Sequence, residues 1–126
     1  MTAAILAAVF VGAGFGACLR YLLNESLNHR WTLMPLGTLA ANLLGGYLVG
    51  VAIAVLATRS EFSPLWRALL ITGFMGGLTT FSAFSVEVVN AFTRGEPMAA
   101  LATASLHLFG SLALTALGIA TVRALA

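Results

Sequence analysis

The charged residues of this chain leave four long gaps. All six cations are arginine and all four anions are glutamate, and none lies within 1–19, 31–58, 68–86 or 97–122. A helix that crosses a bilayer needs roughly 20 mainly apolar residues. Four segments meet that need, at about 3–23, 36–57, 64–92 and 98–125. Charged residues make up only 8% of the chain, against about 25% in soluble domains. A chain this short also leaves most of its surface outside, so the bilayer is its natural solvent. The expected fold is an all-α membrane protein, a single transmembrane domain over 1–126 with four spanning helices. Pro35 and Pro97 stand where helices start. The start "MTAAILAAVFVGAGFGACL" has no cationic n-region and reads as a retained membrane helix, not a signal peptide. The linkers "NESLNHRWTLM", "TRSEFS" and "TRGEP" are short, so successive helices are antiparallel neighbours. The net charge of +2 comes without a basic run, which argues against nucleic acid as a partner. Cys18, the only cysteine, excludes an intrachain disulfide and reads as a small buried residue.

Glycines recur four apart: Gly12 and Gly16, Gly46 and Gly50, Gly73 and Gly77. This spacing lets helix backbones approach closely, within one bundle or between subunits. The arginines divide evenly between the two membrane faces. Arg59, Arg67 and Arg123 share the side of the N-terminus; Arg20, Arg30 and Arg94 fall on the other. Arginine asymmetry normally sets orientation. Without it the chain is free to insert both ways, which permits an antiparallel homodimer. Four short helices cannot both pack a core and surround an aqueous path, so transport implies at least two copies.

The third segment carries a polar anomaly, "GGLTTFSAFS", at 76–85. Adjacent glycines weaken a helix by about 1 kcal/mol each relative to alanine, and β-branched threonines add to the effect. A helix broken near Gly76–Thr79 is expected. Irregular backbone at membrane depth must be buried or must bind something: its carbonyls suit a small cation, its half-helix N-termini an anion. A kink healed by serine and threonine is the simpler alternative. Phe81 and Phe84 lie on nearly one face, and their electropositive edges either greet a small anion or pack in a core. Ser82 and Ser85 form an offset pair.

The fourth helix bears Thr103, His107, Ser111 and Thr115 at intervals of four, one polar stripe along its length. The stripe lines a pathway, or its hydroxyls bond back to their own helix. Asn42, deep in the second helix, needs hydrogen-bond partners, supplied by another helix or by an anion. Arg20 and Glu87 are the ionisable groups nearest the segment interiors and are functional candidates. Arg20 would snorkel or draw anions into a vestibule, and Glu87 would neutralise an arginine. There is no P-loop, no metal-ligand cluster and no aspartate, and two histidines in separate segments make no catalytic set. No enzyme is expected.

"GFMGGLTTFSAFSVEVV", "PLGTLAANLLGGYLVG" and "GFGACLRYLL" together resemble the Fluc/CrcB family of fluoride channels across essentially the whole chain. The resemblance implies an antiparallel, dual-topology homodimer with two fluoride pores in a bacterial inner membrane. It also implies a structural sodium ion at the dimer centre, held by main-chain carbonyls of Gly76 and Thr79 from both subunits. Phe81 and Phe84 would be the pore phenylalanines, Asn42 the pore asparagine and Arg20 the vestibule arginine. Ser111 and Thr115 would form the hydroxyl track, with Ser82 near the ion and Glu87 a pore-proximal acid. His107 stands where that track would carry a small hydroxyl residue, so it would narrow the path or make conduction pH-sensitive.

Fluoride is small and strongly hydrated, so a pore must replace its water with donors. Several weak neutral contacts allow release as well as entry. The runner-up is a small multidrug-type, proton-coupled exporter, also a four-helix dual-topology dimer but built around an acid in its first helix; the apolar first segment here contains none. A non-transporting subunit or assembly factor is a third reading.

Overall fold

The computed structural model describes residues 2–126; its regular secondary structure is all helical, with four stretches long and apolar enough to cross a membrane. α1 (Thr2–Leu27) and α2 (Leu36–Thr58) are continuous helices. The third span is composite. α3 (Pro64–Arg67) runs into a π-helical segment, π1 (Ala68–Met75), and then a short turn, α4 (Gly76–Leu78). α5 (Ser82–Thr93) follows after the non-helical residues 79–81, and α6 (Pro97–Leu125) forms the fourth span.

Local chemistry sets the ends. Pro64 and Pro97 begin α3 and α6, where a missing N–H costs nothing. The Ser63 hydroxyl accepts from the Trp66 amide, 3.5 Å away. α2 borrows its cap from elsewhere: Asn28 Oδ1 accepts from the Thr38 amide at 3.1 Å, satisfying a donor that a helix start leaves unpaired. α5 closes in a Schellman motif around Gly95, whose φ is +78°. The Gly95 amide donates to the Phe92 carbonyl at 3.1 Å and the Glu96 amide to that of Ala91 at 2.9 Å. Only a residue without Cβ accepts that φ freely, which is why "TRGEP" turns the chain so sharply into α6.

Small residues hold the helices together. A Cβ on Gly16 would collide with the Phe74 carbonyl, and one on Gly77 with that of Ala13. α1 and the third span therefore touch backbone to backbone. α2 and α6 do the same, with Gly50 against the Thr115 carbonyl and Gly118 against that of Tyr47. The glycine pairs thus serve packing within one chain. The buried apolar residues are mostly alanines, whereas Phe10 is 81% and Phe81 79% exposed. Such an inside-out distribution places large side chains toward lipid or another protein surface, not water.

Three expectations need correction. Cys18 is exposed on α1, because the packed face of that helix belongs to Gly12 and Gly16. α1 runs on to Leu27 and so includes an acid, Glu25, exposed in its last turn; helix hydrogen bonding continues past the apolar stretch. Finally, Gly76 and Gly77 are themselves helical, and helical geometry is lost at residues 79–81. The glycines are close-approach positions against α1, and the chain leaves the helix only where Thr79 turns extended, at φ −87° and ψ 154°.

Candidate functional site

The non-helical residues are held by one side chain. Asn42 on α2 meets both polar groups of the Thr80 backbone: its Nδ2 donates to the Thr80 carbonyl at 2.9 Å, and its Oδ1 accepts from the Thr80 amide at 2.8 Å. The asparagine pairs with the peptide group as a neighbouring strand would, so the amide of Thr80 goes to Asn42 in place of the carbonyl of Gly76, its regular helical acceptor. The Thr80 hydroxyl then accepts from the Ala83 amide at 3.1 Å, the arrangement of an N-cap at the start of α5. That contact in turn diverts the natural helical donor of the Thr79 carbonyl. On the other side, the Thr79 amide and hydroxyl both donate to the Met75 carbonyl, at 3.0 and 2.8 Å. Arg20 reaches from α1 and donates through Nε to the Gly77 carbonyl at 3.1 Å. A cation there suits the negative end of a helical segment.

An open-sided cavity of about 490 Å³ lies against this interruption. Asn42, Thr79, Phe81, Phe84, His107 and Ser111 contribute to its wall, and Gly76 borders it. Phe81 and Phe84 meet edge to face, with centroids 5.4 Å apart at 68°, and the His107 ring lies 4.7 Å from Phe84 at 33°. His107 Nδ1 is 2.9 Å from Asn42 Nδ2. Among the described residues, no charged side chain lines the cavity.

Other candidate residues lie outside its wall. Thr115 donates to the Gly46 carbonyl at 2.9 Å, fastening α6 to α2. Thr103, buried, bonds back to the Ala99 carbonyl at 2.8 Å, so the polar stripe of α6 splits into packing hydroxyls at its ends and cavity residues between. Ser82 is exposed, 3.3 Å from the Thr80 hydroxyl. Glu87 does not pair with an arginine. Its Oε1 accepts from the Thr38 hydroxyl at 2.5 Å, while Oε2 is buried without a partner. The arginines near acids, Arg59 with Glu61 and Arg94 with Glu96, make loop pairs at 4.0 and 3.5 Å, which contribute little.

Sequence reasoning passed over two residues here, Thr80 and Thr38. Thr80 was detectable: a threonine three residues before Ala83, at the head of an apolar run, has N-cap spacing. Thr38 was detectable only as the residue one turn before Asn42 on the same helix face.

These features define a multi-pass membrane protein: four spans, glycine-tight packing, and a largely apolar cavity beside the non-helical residues of the third span. Residues 7–119 match the family described as "CrcB-like protein, Camphor Resistance (CrcB)", and the chain belongs to that family. It is 57% identical over 119 residues to proteins named fluoride-specific ion channel FluC from Burkholderia mallei and Burkholderia pseudomallei, covering 94% of this chain and 93% of each relative. The protein of the same name from Burkholderia thailandensis is 56% identical over the same coverage.

Proposed function

We propose that this protein conducts fluoride passively across a bacterial inner membrane, as an antiparallel homodimer with two pores. The observation that carries the reading is the wall of the cavity, where the hydroxyl residues Thr79 and Ser111, the rings of Phe81 and Phe84 and the imidazole of His107 lie together without a fixed charge. A buried arginine would bind a small anion too tightly to release it. Neutral donors of modest strength replace hydration and still let the ion leave. The cavity is open along one side, and Phe81 on its rim is 79% exposed, which accords with a second copy completing the wall.

The carbonyls of Gly76 and Thr79 suit a structural sodium ion at the dimer centre. Both have lost their regular helical donors, the Thr80 amide to Asn42 and the Ala83 amide to the Thr80 hydroxyl. Oxygen donors of this kind fit a hard cation, and carbonyls left unpaired in hydrocarbon need such a partner. When bound, the ion would supply positive potential beside the path. Arg20 would hold α4 against α1 through the Gly77 carbonyl and add positive potential at the vestibule. Glu87, tied to Thr38, would lie near the path without charging its wall.

Purified protein in liposomes is expected to release trapped fluoride far faster than chloride; release of cationic dyes and no fluoride would refute the reading. Phe84→Ile keeps bulk but removes the electropositive edge. It should slow fluoride efflux by about 10-fold or more, the effect of losing roughly 1.5 kcal/mol of stabilisation in the path. An unchanged rate would remove Phe84 from the mechanism. For topology, a reporter fused to the C-terminus should be found on both sides of the membrane, and one-sided signal would exclude dual insertion.

A further inference from the structure

Which group donates to the anion depends on where three protons sit. The orientation of Asn42 is fixed by Thr80, because the Thr80 amide can meet only an acceptor, Oδ1, and the Thr80 carbonyl only a donor, Nδ2. A carboxamide nitrogen has two protons. One goes to the Thr80 carbonyl, and the other faces His107 Nδ1 at 2.9 Å. A donor facing Nδ1 requires a lone pair there, so the proton of the neutral ring sits on Nε2. His107 is 4% exposed, and its Nε2 is buried with no partner. The side chain lines the cavity beside Phe84. A buried, unpaired N–H in an apolar surround demands an acceptor.

We infer that His107 Nε2–H is the donor the cavity gives to a small, hard anion, and that Asn42 is a positioning residue with no proton to spare. This rests on the fluoride reading above. Asn42 acts through two contacts at once: it pins the Thr80 peptide and locks the histidine tautomer. His107, in the stripe on α6, then carries the donor role that an amide at position 42 would otherwise fill.

The test uses the full chain in liposomes with 15N-labelled histidine, the His107 signals being assigned by comparison with His107→Asn. The expected ring is unprotonated at Nδ1 and protonated at Nε2, and added sodium fluoride should shift the Nε2–H resonance while sodium chloride does not. Fluoride efflux from two variants supplies an independent reading. Asparagine at 107 reaches only as far as Nδ1, so His107→Asn keeps the partner of Asn42 and withdraws the outer donor. Glutamine extends an amide to the place of Nε2, so His107→Gln keeps the donor. Efflux should be lower in the asparagine variant than in the glutamine variant by about 10-fold or more, as expected for one hydrogen bond to a charged ion. A ring protonated at Nδ1, an Nε2 signal indifferent to fluoride, or the reverse order of the variants would overturn the assignment while leaving the channel reading intact. Absence of fluoride flux from the wild-type protein would instead sink the channel reading itself. If neither variant at position 107 folds, His29→Gln, a change at an exposed position, leaves His107 as the single labelled ring, and its spectrum still decides the tautomer.

Discussion

Asn42→Leu is expected to abolish fluoride efflux and to leave a protein that unfolds far more readily in detergent. Leucine is close to asparagine in shape, so the change creates no large void. What it removes is the pairing with Thr80. The amide and carbonyl of that residue, bonded at 2.8 and 2.9 Å, would face hydrocarbon with nothing to replace Asn42. Each unpaired group costs about 1–3 kcal/mol, so the loss is roughly 3–9 kcal/mol once His107 Nδ1 is counted. Thermal unfolding, followed by loss of the monodisperse peak in size-exclusion chromatography, measures it. Thr80→Ser is the comparison, since it keeps the backbone pairing and the hydroxyl cap on α5 and should stay within about 1 kcal/mol of the parent. If Asn42→Leu were as stable as the parent, Asn42 would not be holding the interruption.

The second large effect is steric. Gly16→Ala adds one methyl group where the Phe74 carbonyl already lies, with the Leu78 amide 2.7 Å from the new carbon. Both obstacles are backbone, so no rotamer change relieves the clash. α1 must move off the third span, and Arg20, four residues on, must lose its reach to Gly77. Overpacking of this kind costs about 1–3 kcal/mol and more where backbone blocks the way. Gly14→Ala is the internal control, since nothing lies within 4 Å of a carbon added there. Replacing a helical glycine by alanine in open space gains up to about 1 kcal/mol. The two variants should therefore move in opposite directions in the same unfolding assay. A destabilised Gly14→Ala together with a neutral Gly16→Ala would place the packed face of α1 on its other side.

The four spans were legible because the charge gaps report directly on what lipid tolerates. Their ends were less so. Hydropathy marks the thickness of the membrane, whereas the helix follows its hydrogen-bond ladder; α1 therefore carries "NESL" as a helical turn beyond the apolar stretch and brings Glu25 with it. The interruption was legible as a region but not as a position. Gly76 and Gly77 have low helix propensity, yet both remain helical because α1 packs on them. The departure at residues 79–81 is set by Asn42, far away in sequence, and no local propensity contains that contact. Glu87 shows the same limit. An acid within an apolar span suggests an arginine partner, but its neighbour across the bundle is the hydroxyl of Thr38. His107 was visible as a member of the stripe. Its protonation pattern became visible only with the positions of Thr80 and Asn42 together.

The π-helical stretch Ala68–Met75 gives the third span the character of a phase adjuster. Its bonds reach five residues back instead of four, so each turn takes in more chain for its rise. Everything downstream arrives rotated relative to where a regular helix would deliver it. Shortening the stretch by one residue would restore the ordinary ladder and swing Thr80 out of line with Asn42, with no substitution at either position. Chain length between Ala68 and Met75 is thus as much a determinant of the cavity as any side chain lining it.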